Sequence, residues 1–376
     1  MRSSFYNFFY KSLTSCSLLA LLAFIAAPVT LADHAGSAAT ESDNAVMLTV
    51  SANMTQIAQE FLATVAGEPS GIETAVGYNR HDLVALPYEH EARTSYVYWP
   101  FLRKGLPIDF MSAEQRVLVH DMLNTALSAN GYLSTIQIMQ MEKILADSEV
   151  VGFPRGTENY TLAIFGEPAA DKNWGWRFEG HHLSLNFTVA PGEVSVTPTF
   201  FGASPAKILS GPLAGFRNQR GTHEAGLALI NSLDQTQRAA AIADGNPPND
   251  ILAGHLNRPM ENWDDWKNLP AQGIAVATLT AAQKDLVQRV LDEVVTSYRP
   301  EISTAYLRQI DVNDLRFVWF GGTQEGEAHY YRLEGTDFFF EYDLVQGMGN
   351  HVHAVWRSKA GDFGGDLLKQ HLLENH

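Results

Sequence analysis

Four histidines stand in two short stretches. His181 and His182 lie in RFEGHHLSLNFTV (Arg177 to Val189), and His351 and His353 lie in NHVHAVWR (Asn350 to Arg357). Neutral imidazoles are good ligands for zinc, iron, copper and manganese. On a strand, residues i and i+2 project the same way, roughly 6–7 Å apart along the chain, so His351 and His353 can serve one ion. An H-x-H pair alone is a weak signal, and a second histidine pair strengthens it. Two blander readings stand beside it: a metal-free polar pocket, or imidazoles that only satisfy turns and sheet edges.

Alternation supplies companions. His182, Ser184, Asn186 and Thr188 share one face of a strand, with Leu183, Leu185, Phe187 and Val189 on the other. Phe338, Phe340, Tyr342 and Leu344 form an apolar face that leaves Glu341 and Asp343 opposite. His351, His353, Val355 and Arg357 fall together in a third strand. Candidate ligands are therefore His182, His351 and His353, with His181 as a fourth. Glu341 or Asp343 would complete the shell or act as general base. Arg357 would hold an anionic substrate or serve the frame. Two histidines and one carboxylate would leave positions open for water or substrate. Arg177 and Arg332 each precede a Glu-Gly turn and read as frame residues paired with Glu179 and Glu334. Glu142 reads as solvated or capping, and His34, His223, His255 and His371 as isolated surface or capping groups. Trp174, Trp176, Trp319 and Trp356 read as core.

Composition narrows the classes. Cys16 is the sole cysteine, which excludes disulfide scaffolds, thiolate zinc and iron–sulfur ligation, so any metal needs nitrogen and oxygen donors. The formal charge of −16 repels nucleic acid. MRSSFYNFFYKS followed by CSLLALLAFIAAPVTLA reads as a signal peptide over residues 1–32, too short in its apolar run for a spanning helix. Its loss would remove two bases and no acids, and would leave an exported chain with no stable membrane anchor. G-x-S-x-G, H-E-x-x-H, P-loop and G-x-G-x-x-G patterns are all missing.

The elements that must position these residues read as α+β. Helices are expected over 47–65, 112–128, 133–146 and 222–244, with Tyr96 to Leu106 a strand or extended segment and Gly245 to Pro270 irregular. Ser112-x-x-Gln115 and Thr280-x-x-Gln283 are capping boxes, each ahead of a helix and then strands. At a fixed offset of 155, Phe165, Gly166, Arg177, Glu179, Gly180 and Gly192 meet identical residues. That predicts an internal duplication, residues 112–192 matching 280–347, around a mixed or antiparallel sheet. At the same offset His181 and His182 meet Thr336 and Asp337, so the site should be asymmetric.

The chain resembles the bacterial domain-of-unknown-function family numbered 3500. The resemblance rests on WGWRFEGHHLSLNFTV, TPTFFGASPA, YYRLEG, FFFEYD and GNHVHAVWRSKAGDFGGDLL, and covers about residues 90–371. Its signature segments group His181, His182, Asn186, Glu341, Asp343, His351, His353, Arg357, Asp362 and Phe363. Thr222-His223-Glu224 departs from the two acidic residues expected there. The family implies no activity. The residues favour a metal-dependent enzyme, hydrolytic or oxidative, with zinc, iron, copper or manganese and a small-molecule substrate. A non-catalytic binding protein for a metal or small ligand is the alternative.

Overall fold

The structure, a computed structural model, describes residues 41–67, 79–100, 103–148, 156–254, 265–365 and 367. The expected signal peptide, His34, His255 and His371 lie outside the described residues.

Helix α1 (Glu41–Val65) precedes a short helix α2 (Arg80–Val84), and the minor strands β1 (Ala85–Leu86) and β2 (Leu106–Pro107) follow. Helices α3 (Ala113–Ala126) and α4 (Ala129–Ser148) lead into strands β3 (Thr161–Phe165), β4 (Trp174–Gly180) and β5 (Leu183–Ala190). Next come β6 (Glu193–Ser195) and β7 (Thr199–Ala203), then helices α5 (Arg220–Ser232) and α6 (Gln235–Ala241). After β8 (Ile274–Ala275), helices α7 (Ala281–Val295) and α8 (Pro300–Gln309) lead into β9 (Arg316–Gly321), β10 (His329–Glu334), β11 (Phe338–Gln346) and β12 (His351–Ser358). The class is α+β, as expected.

All twelve strands belong to one mixed sheet, ordered β1-β3-β4-β5-β7-β12-β11-β10-β9-β8, with β2 on β3 and β6 on β5. Apart from parallel β1–β3, the pairs are antiparallel. The order runs inward through β3, β4, β5 and β7, then outward through β12, β11, β10 and β9. Before each run stand a short strand, a 3-10 turn, a capped helix, a second helix and another 3-10 turn. Both capping boxes form as the sequence implies. At the centre Phe200 pairs with Val355, residues themselves 155 apart. Nearby, Ser128 N–H donates to Ser297 O and Arg299 N–H to Ala126 O, at 3.0 and 2.9 Å.

Period-two alternation sorts the chemistry onto the two faces of this sheet. Trp176, Phe187, Phe317, Trp319, Phe340 and Trp356 join the large core that includes residues of α1, α3, α4, α5, α7 and α8. The opposite face carries Tyr96, Tyr98, Phe200, Phe339, Val355, Ile251, Ala253 and Trp266, packed with irregular segments and a 3-10 turn rather than α-helices. Buried charges concentrate on that face: Arg177, Glu179, Arg332, Glu341, Asp343, His353 and Arg357. Irregular segments have backbone groups unspent on ladders, so they can satisfy such charges. Arg177 lies beside Glu179 at 3.4 Å and Arg332 beside Glu334 at 3.1 Å, as expected of frame residues.

Two expectations are corrected. Residues 222–244 form two helices, because Asp234 caps Gln237 N–H and Gln237 caps Asp234 in return, starting α6 afresh. Of the two readings of Tyr96 to Leu106, the extended segment fits: its described residues before Leu106 lie in no strand, and Arg177 takes up the carbonyls of Ala92, Ser95 and Lys104. His223 is no surface group: it is 1 % exposed and donates to Glu325 Oε2 at 2.6 Å.

His329, on the helix-covered face, gives a pH test of stability. It is fully buried against Trp319 and Tyr342. Burial lowers its pKa to about 4, although the bond to Glu327 O works the other way. The unfolded chain binds this proton below about pH 6.5 and the folded chain only below about 4. The penalty is therefore absent above neutral pH, grows as pH falls, and levels off near pH 4 at about 3 kcal/mol. Urea midpoints from pH 7 to 4 should fall more steeply in the wild type than in His329→Gln. Parallel slopes would refute this.

Candidate functional site

The two histidine pairs meet. His182 sits in the turn between β4 and β5 with φ 61°, one residue before the strand expected to carry it. Its N–H donates to Tyr98 O at 3.0 Å, and its own carbonyl accepts from Gly202 N–H at 2.7 Å, which aims the ring across β7. His351 opens β12, and His353 lies opposite Gly202 of β7 and Asp343 of β11. His182 Nε2 and His351 Nε2 are 2.8 Å apart, and His351 Nε2 and His353 Nε2 are 3.0 Å apart. A Cβ on Gly202 would come within 3.1 Å of both the His182 and His353 rings, so glycine leaves the room they occupy.

An outer carboxylate fixes one of these rings and another stands behind a second. His353 Nδ1–H donates to Asp250 Oδ1 at 2.6 Å, so its Nε2 turns a lone pair inward. Glu142 of α4 accepts from His181 Nδ1–H at 2.5 Å and lies 3.7 Å from His182 Nδ1. His351 Nε2 thus faces two nitrogen neighbours and can donate a proton to only one. A cation at the convergence would satisfy all three lone pairs. Tetrahedral zinc at about 2.0–2.1 Å per bond needs its nitrogens a little over 3 Å apart, so the set would open only slightly. Among the described residues, metal-capable atoms come within 4.8 Å of one another in three groups: His182/His351/His353, Glu142/His181/His182 and Asp250/Asp343/His353. Buried groups of this kind could hold a metal ion.

The electrostatics fit an enclosed polar centre. Burial pushes the Asp343 carboxyl up to about 7, with Asp250 adding to the rise and His353 opposing it. Its Oδ1 accepts from Val345 N–H at 3.0 Å, while Oδ2 is buried without a hydrogen bond. Burial works to lower the His353 pKa, but Asp250 outweighs it and the net shift is upward. Protons therefore compete with a metal at this ring as pH falls.

The family model described as "Protein of unknown function (DUF3500)" matches residues 49–365, most of the chain. The chain belongs to this family. The match reaches back through α1, further than the resemblance legible from residue 90 onward. No curated protein and no solved structure matches.

Within this DUF3500 fold, His182, His351 and His353 come together as expected, while His181 turns to Glu142. Glu341 is placed otherwise than expected, and Arg357 falls on the frame side of its two readings. Glu341 is fully buried, and its two oxygens accept the N–H groups of Leu252 and Ala253, each at 2.8 Å. Burial raises its pKa against those bonds and that of Tyr330. Arg357, 1 % exposed, donates to Asp362 at 2.7 Å and to Ala253 O at 2.8 Å, and stacks over Trp266. Buried and engaged in this way, its guanidinium serves the frame rather than an anionic substrate. Glu142, read as solvated or capping, is 2 % exposed and faces the histidines. Asp250, in the irregular NPPND stretch, was not singled out from the sequence at all.

Proposed function

We propose that this DUF3500 protein is a metal-dependent enzyme of hydrolytic type, with His182, His351 and His353 as ligands. One observation carries the reading: three imidazole Nε2 atoms converge, with the Asp250 carboxylate on Nδ1 of His353 and Glu142 3.7 Å behind Nδ1 of His182. Three neutral ligands leave a divalent ion its full charge, and such an ion would supply Lewis-acid chemistry and a water of lowered pKa. This donor set favours zinc over a two-histidine, one-carboxylate iron centre, because the carboxylates occupy the outer positions. The chain's own residues would orient the rings and, through Asp250, hold the His353 proton on Nδ1. A non-catalytic metal-binding protein is the second reading, favoured by the near-complete burial of His182 and His353. Metal analysis of the purified protein tests the shared part, and turnover of a panel of esters, amides and phosphoesters separates the two.

Export belongs to the same proposal and rests on the basic and then apolar start of residues 1–32. N-terminal sequencing of the protein secreted by its host should begin at Asp33. A chain that still starts at Met1 would refute export by cleavage. The repeated element order, with Phe200 and Val355 paired at its centre, likewise supports an internal duplication of the frame. Superposition of residues 112–192 on 280–347 is the check: close agreement of helix and hairpin is expected, and divergent paths would end the idea.

A further inference from the structure

We infer that Glu341 is a positioning residue for the metal site, acting through the four-residue segment Asp250 to Ala253. The inference rests on the metal reading only for its consequence, since the arrangement itself involves no metal. The segment lies outside the helices and strands, so side chains must fix its path. Glu341 supplies the main anchor by accepting two consecutive amides, Leu252 N–H and Ala253 N–H, at 2.8 Å each. Tyr330 O–H also donates to Oε1. On the far side, Ala253 O accepts from Tyr96 O–H at 2.6 Å and from Arg357 at 2.8 Å. Ile251 and Ala253 are buried in the same cluster as Phe339 and Val355, the strand residues that flank this polar set.

The segment delivers one functional group, the Asp250 carboxylate. Its Oδ1 accepts both Ile251 N–H at 2.7 Å and His353 Nδ1–H at 2.6 Å. Glu341 therefore sets where Asp250 stands, and Asp250 sets which nitrogen of His353 carries the proton. A carboxylate is required at 341 because two amide N–H groups need two acceptor oxygens. A glutamine offers one oxygen and one NH2, which would face an amide donor to donor. At the offset of 155 the matching residue is Asn186, which donates to Pro198 O and Ser184 Oγ instead. Of these two matched positions, 341 alone carries the two-oxygen clamp.

The test is histidine-selective nitrogen NMR on metal-free protein, joined to zinc titration, with wild type, Glu341→Gln, Tyr96→Phe and Asp250→Asn compared. Wild type should show His353 protonated at Nδ1 with a strongly deshielded proton. Glu341→Gln should weaken or lose that signal and bind zinc about 10-fold to 100-fold less tightly, the range for a lost outer partner. Tyr96→Phe removes only one of the donors to Ala253 O and should shift the signal in the same direction by less. It keeps the question answerable if Glu341→Gln folds poorly. An unchanged His353 Nδ1–H signal in folded Glu341→Gln would overturn the inference, even if its melting temperature fell. Zinc refused by the wild type, with the signal present and lost on substitution, would defeat the metal reading and leave the positioning role standing.

Discussion

His351→Ala combined with His353→Ala is expected to abolish stoichiometric zinc uptake and any turnover that depends on it. Two of three ligands vanish, so the loss should exceed the roughly 10–100-fold cost of removing an outer partner. The metal-free fold should survive. His353 is buried, and its removal leaves the Asp250 carboxylate short of a partner, at a cost of about 1–3 kcal/mol. Zinc should raise the melting temperature of the wild type by mass action and leave that of the double variant unmoved. Equal stabilisation of both proteins by zinc would place the ion elsewhere.

Arg332→Ala is expected to have the opposite signature. Arg332 is 1 % exposed, lies 3.1 Å from Glu334 and covers the Phe339 ring. Breaking a buried pair from one side costs about 3–5 kcal/mol. Lys359 also reaches Glu334 at 2.9 Å and will recover part of this, so the lower end of the range is expected. Chemical denaturation should show the loss, while zinc bound per folded molecule stays at the wild-type value. A drop in zinc stoichiometry without a drop in stability would move Arg332 from frame to site.

The contrast shows what the chain could and could not disclose. Strand alternation is local, so the polar face of Asn186, Glu341, Asp343, His351, His353 and Arg357 was legible from period two, whereas His182 takes its aim from the turn before its strand. Whether two strands distant in sequence become neighbours is a matter of sheet order, and here the adjacency of β7 and β12 brings the histidine pairs together. Glu341 was misjudged and Arg357 left open because alternation gives a side chain's face and not its partner. Their partners are backbone groups of an irregular segment that carries no periodic signal. Asp250 escaped for the same reason. Glu142 escaped because a helix pattern says which residues are apolar, not which polar one points at a neighbouring hairpin.

The left-handed backbone of His182 has a consequence for how such a sequence is kept. An L-residue with a full side chain pays about 1–2 kcal/mol to hold φ near +60°, and glycine would hold it at little cost. Relief of that cost favours glycine at position 182, and the packing of the buried imidazole against His181, His351 and His353, together with any metal it holds, weighs against the change. Lineages in which that position has relaxed to glycine would be the ones that have given up the site while keeping the sheet.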